Sequence, residues 1–246
     1  MGNIRVYTLG RFLVWVDGQP LADDVWVRKE ARQLFKVLLT RPRRHVLRDE
    51  ATELLWPGSG PNAAAANLPL ILHAVQRALG VGPGNGRAPV VLTDRESMSV
   101  RADADIWVEA DAFEYTIAQA QHTSDPLLLL EEADTLYAGE YLPEDLYERW
   151  ATECRDTLKR AWTELQFSLA RHSDLRGDLD RAAVALHRLL STDPGDERAA
   201  QDLMRLLAHR GRDPMRGVSI SGLFRRCAIG LKPTCSRRRL TSGAAS

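Results

Sequence analysis

Between Asn62 and Leu79, five residues at helical spacing fall on one arc: Asn62, Ala66, Leu70, His73 and Arg77. An amide, an imidazole and a guanidinium along one helix face can hydrogen-bond to base edges in a DNA major groove. Six further cations, Arg28, Lys29, Arg43, Arg44, Arg48 and Arg95, suit phosphate oxygens, which supply much of the affinity for nucleic acid. The bland alternative is a set of solvent-facing charges on ordinary helices. Other chemistries find less support. The six histidines (45, 73, 122, 172, 187 and 209) form no HExxH and no cluster, so neither a metal nor hydrolytic catalysis is expected. Gly80-Val-Gly-Pro-Gly-Asn-Gly86 lacks the Lys-Ser/Thr of a phosphate loop and reads as a connector. The reading is of a non-enzyme without a cofactor.

The elements that must position this arc follow from periodicity. Leu68, Ile71, Leu72, Val75 and Leu79 form the opposite, apolar side of the same helix. A shorter helix, Arg48 to Trp56, precedes it and is stopped by Pro57-Gly58. Two helices joined by a tight turn, the second with a free face, give the geometry that enters a major groove. Upstream, Ile4–Leu9 and Phe12–Val16 read as strands followed by an Asp17-Gly18 turn. Arg28 to Leu39 reads as a helix that buries Ala31, Leu34, Phe35 and Leu38, with Arg28, Lys29, Arg32 and Lys36 mostly outside. Pro89–Thr93 and Ser97–Val100 pair around a turn carrying Arg95. Strands, three helices and a closing hairpin make a winged helix over residues 1–101, with Arg95 near the wing tip.

Beyond it the chain reads as all-helical. Asp111–His122 and a helix capped by Asp125, with Pro126 in its first turn, come first, and a long helix spans Asp145–Arg176. Gly177-Asp178 and Gly211-Arg212 are 34 residues apart, the period of tetratricopeptide repeats. The fold class expected is therefore mainly α with small β: a winged helix, then a tetratricopeptide-like helical domain over residues 102–211.

The zero net charge conceals a segregated pattern. Residues 1–101 carry 14 Lys/Arg against 9 Asp/Glu, residues 102–211 carry 11 against 23, and residues 212–246 carry 8 against 1. A basic front and an acidic middle fit one domain that meets polyanions and one that does not. No run approaches 18 apolar residues, so no membrane partner is expected. Cys154, Cys227 and Cys235, odd in number and without CxxC, fit a reducing cytoplasm.

Several motifs support a family name. Leu9-Gly-Arg-Phe12, Asp17-Gly18, Arg48-Asp49-Glu50, Leu55-Trp56-Pro57, Leu72-His73-Ala74 and Arg77-Ala-Leu79 resemble the OmpR-like winged helix of SARP-type bacterial transcriptional activators. Asp105-Ile-Trp-Val108, Asp111-Ala-Phe-Glu114 and Leu136-Tyr-Ala-Gly139-Glu-Tyr-Leu-Pro143, with Trp150 downstream, are similar to that family's second module, the bacterial transcriptional activator domain. The resemblance implies a cytoplasmic regulator, on the nucleoid when bound. It would bind double-stranded promoter repeats, often as paired protomers, and recruit RNA polymerase. It also implies that position 76, usually arginine in the family and Gln76 here, belongs to the DNA-facing set. Pro69 replaces a usual basic residue and removes a helical hydrogen bond at ~3 kcal/mol.

The rival reading is a helical interaction module behind a weakened or vestigial DNA-binding domain. The tail from about residue 212 is expected to be disordered or out of frame. Gly217, Gly222 and β-branched residues stand where the repeat requires a helix. One codon choice for Met215–Ser221, read two bases later, restores the family's Arg-Gln-Tyr.

Overall fold

The computed structural model describes residues 3–81 and 87–212. Strands β1 (Ile4–Tyr7), β2 (Leu13–Val16) and β3 (Gln19–Pro20) form an antiparallel meander. Asp17 and Gly18 both have positive φ, 51° and 78°, as a tight two-residue hairpin turn requires. Helix α1 (Lys29–Thr40) follows, and then a short strand, β4 (His45–Leu47). Helices α2 (Arg48–Leu55) and α3 (Pro61–Ala78) come next, then the hairpin β5 (Val91–Thr93) and β6 (Ser97–Val100). β6 pairs with both β4 and β5, so the wing is anchored on the strand that leads into α2.

The expected apolar faces are the buried ones. Ala31, Leu34, Phe35 and Leu38 of α1 meet Leu68, Ile71, Val75 and Leu79 in one core, all at most 1% exposed. The fold is mainly helical with small sheets, a winged helix followed by a helical domain.

A fourth strand for the first sheet comes from further along the chain. β7 (Ile106–Val108) pairs in parallel with β1, in register Ile4 with Ile106 and Val6 with Val108, and extends the first sheet to four strands. The expectation of helix alone after residue 101 is corrected here. Three residues are too few to show a strand period. From β7 the chain enters α4 (Glu109–Gln121), α5 (Leu127–Leu136), the long α6 (Arg149–Leu175), α7 (Leu179–Thr192) and α8 (Glu197–Arg212).

Two details of this helical region differ from expectation. Asp125 does not cap α5; Pro126 occupies the cap and Asp125 pairs with Arg176. Gly211 and Arg212 lie in α8 and not in a turn beyond it. At the first position of the repeat, Asp178 does cap α7, accepting from the Arg181 N–H at 3.1 Å. The expectations for the tail after Arg212 lie outside the described residues.

The winged helix and the helical domain are joined by more than the chain. Gly10 donates to the Glu140 carbonyl at 2.8 Å, and Leu142 donates to that of Thr8 at 2.9 Å. Leu9 and Tyr141 form an isolated antiparallel bridge between them. Gly10 and Gly139 touch backbone to backbone, and a Cβ on Gly139 would lie 2.9 Å from the Gly10 Cα. Leu9-Gly-Arg-Phe12 and Leu136–Pro143, the motifs that carry the family resemblance at either end, therefore meet each other. Glu109 pins the same corner, its Oε2 accepting from Thr8 and Leu9 N–H at 2.9 and 2.8 Å. Arg155 grips the carbonyls of Tyr141, Asp145 and Leu146 from α6.

Lys36 is a correction. Expected on the outside of α1, it is 3% exposed. Its Nζ lies 2.6 Å from Asp145 and 3.1 Å from Glu144, and 4.7 Å from the Phe12 ring centroid. A buried ammonium is held only where it is paired and hydrogen-bonded, and these two carboxylates do so. Arg32 pairs with Glu144 beside it at 3.0 Å.

Candidate nucleic-acid interface

α2 begins where the wing holds it. Arg48 donates its backbone N–H to the Glu96 carbonyl and its Nη1 to that of Asp94, both at 2.8 Å. Asp49 and Glu50 occupy the first turn of α2, where acidic side chains complement the helix dipole. Trp56 closes α2 by donating to Thr52 at 2.9 Å, and Ser59 donates back to Trp56 at 3.0 Å. Pro61 opens α3, where its fixed φ suits the first turn and its missing donor is not needed. The turn between the helices is therefore five residues long, 56–60.

α3 presents an outer stripe. Ala66, Pro69, Leu70, His73 and Arg77 are all exposed, and the opposite side is core. The helix continues through Pro69. Asn62 lies in its first turn, and its side chain is outside the described residues. A groove of about 490 Å³ runs between this stripe and the segment before α1, lined by Asp24, Val25, Val27, Arg28, Leu70, His73, Ala74 and Arg77. The structure thus brings together Arg28, His73 and Arg77. Lys29 opens α1 next to Arg28 and is exposed. Arg43 lines a separate depression along the wing sheet with His45, Leu92 and Arg101. Arg95 is exposed in the turn between β5 and β6.

Three hydrogen bonds to Asp94 tie the wing turn. The Asp94 carboxylate accepts from Glu96 N–H at 2.8 Å and from Ser97 N–H at 2.7 Å. The Ser97 hydroxyl also donates to it at 2.9 Å. These bonds hold the Asp94 carboxyl below its ordinary pKa, led by the Glu96 backbone donor.

Three expected DNA-facing residues are engaged within the protein, Arg48 with the Asp94 carbonyl as above, and Gln76 and Arg44 as follows. Gln76 turns to β5: its Nε2 donates to the Val91 carbonyl at 2.6 Å and its Oε1 accepts from Val90 N–H at 3.0 Å. It fastens the wing strand to α3. Arg44 pairs with Asp111 of α4, across the joint between domains. By contrast Arg28, Lys29, Arg43, Arg77 and Arg95 carry no ion pair among the described residues. Val25 and Val27, which share the α3 groove, had no signal in the sequence. Their direction follows from Trp26 between them, buried and stacked on Phe35 at 5.8 Å between ring centroids.

The fold is that of a winged helix with an exposed helix α3, followed by a domain of paired helices. Residues 103–214 match the model of the family described as the bacterial transcriptional activator domain. The fold is similar to that of Mycobacterium tuberculosis EmbR, from a complex with a low affinity phosphopeptide, with a TM-score of 0.69 and 16% identity. The likeness covers 83% of this chain and 54% of that one, so this chain spans about half the length of EmbR. No curated protein sequence matches the chain. The resemblance to SARP-type activators is borne out by the family match and the fold. Among the described residues no helix is long and apolar enough to cross a membrane.

Proposed function

We propose that the protein is a DNA-binding transcriptional activator. Residues 1–101 form its DNA-binding domain, and residues 102–211 form the domain that contacts RNA polymerase or a second protomer on DNA. The observation that carries this reading is the outer stripe of α3, free of core contacts, with His73 and Arg77 on it and Arg28 facing it across the groove. Arg43 and Arg95 extend the cationic surface to the wing, where phosphates flank a groove-bound helix. The helical domain supports the second half of the reading, because paired helices of this kind present broad faces to other proteins. The protein works in the cytoplasm, on the nucleoid when bound, and catalyses no reaction.

Mobility shifts with promoter DNA across a salt series test the proposal. Five cations on phosphate, those without an ion pair among the described residues, predict a log–log slope of roughly −4 to −5. A flat salt response, or no shift at all, favours the alternative: a helical interaction module whose front domain is vestigial.

A further inference from the structure

The outer stripe of α3 is unusual for a base-reading surface in being mostly apolar. Ahead of His73 and Arg77 stand Ala66, Pro69 and Leu70, all exposed, and Leu70 is 52% exposed. Across the groove Val25 and Val27 are 39% and 77% exposed. Single exposed apolar residues need no explanation, but three lining one groove do.

Local structure fixes all three. Trp26 is locked under Phe35, and Val27 donates its N–H to the Val25 carbonyl at 2.9 Å, so both valines are held outward. Leu70 is held by the helix, one turn before His73 and two before Arg77. The groove is rimmed by Arg28, His73 and Arg77 against a single carboxylate among its described lining residues, Asp24. That balance suits a polyanion better than an apolar protein face.

In a major groove the feature an aliphatic side chain can recognise is the C5 methyl of thymine. Resting on the DNA-binding reading above, we propose that Leu70 is a specificity-determining residue. It contacts a thymine methyl, with Val27 closing the apolar contact, while Arg77 reads an adjacent base or phosphate. The operator would then hold a thymine that cannot be replaced by uracil, although uracil pairs identically and differs only by that methyl.

The test begins by selecting bound sequences from random DNA with the full chain. Each thymine of the selected site is then replaced in turn by deoxyuridine. One or two replacements should lower affinity about fourfold, the worth of one buried methyl. In Leu70→Ala, which keeps a good helix former at an exposed position, the same replacements should have no effect.

Uniform indifference of the wild type to deoxyuridine overturns the inference and leaves DNA binding standing. Sensitivity that persists unchanged in Leu70→Ala overturns the assignment to Leu70. Failure to enrich any DNA overturns the reading on which the inference rests. A concentration-dependent dimer without DNA that Leu70→Ala abolishes would mark the patch as a contact between copies and overturn the inference too.

Discussion

Gln76 shows how one side chain can tie the base of the wing to α3. Both ends of its amide are taken by backbone, at Val91 of β5 and at Val90 just before it. Gln76→Ala leaves a half-buried donor and acceptor unpaired and should cost about 1–3 kcal/mol in denaturant unfolding. DNA affinity should fall with it, because β5, the strand that leads to the Arg95 turn, loses its tie to α3. A variant destabilised with unchanged affinity would show that the wing is not used.

Glu109 gives the residue scale a pH signature. Burial is the largest influence on its carboxyl and raises its pKa above the ordinary 4.5, against the Thr8 and Leu9 donors. With the folded value above the unfolded one, the native state holds the proton longer. This contribution is therefore full at low pH and shrinks as pH rises from the ordinary value through the raised one. Glu109→Gln keeps an oxygen for both N–H groups and removes the charge. Its stability, followed by urea unfolding across that window, should lose this slope and match or exceed the wild type near neutral pH.

These residues also show where the sequence stopped being informative. The helix faces were legible because apolar residues recur at 3.6-residue spacing and no distant partner is needed to see them. Gln76 and Lys36 sit at the edges of those faces, where orientation depends on groups that periodicity cannot see. For Gln76 the deciding group is a strand 14 to 15 residues away. For Lys36 it is a pair of carboxylates more than a hundred residues away. Arg44 is expected on DNA phosphate, and the carboxylate it pairs with, Asp111, belongs to α4, 67 residues away.

At the scale of elements, α3 is the one whose sequence conflicts with its role. Pro69 lies on the outer stripe beside Ala66, Leu70 and His73, and the helix runs on through it. Proline lacks the N–H that the carbonyl four residues earlier would accept, a cost of about 3 kcal/mol in a helix interior. Pro69→Arg should raise the melting temperature and also tighten DNA binding, since the restored donor comes with a cation on the exposed face. A stabilised variant with unchanged affinity would separate the stripe from DNA. β7 was illegible for the opposite reason: it is strand only because β1 offers a parallel edge, and its own three residues carry no period.

At the scale of the molecule the two domains share a seam of backbone hydrogen bonds, a glycine contact and a buried lysine. Gly139→Ala would press a methyl to 2.9 Å from the Gly10 backbone, where no flexible side chain can yield. The expected cost is about 1–3 kcal/mol. It should appear as earlier unfolding of both domains together, read by amide hydrogen exchange in β1 of the winged helix and in α6. Loss of protection in one well before the other would show the joint to be weaker than its contacts imply.

The same seam limits how such a protein can be reassembled from the parts of its relatives. A winged helix taken from one relative and a helical domain taken from another will match only if the segment around Gly10 and the segment around Gly139 come from partners already fitted to each other. Chimeras cut between β6 and β7 should fold well only when residues 8–12 and 138–145 are transplanted from the same parent.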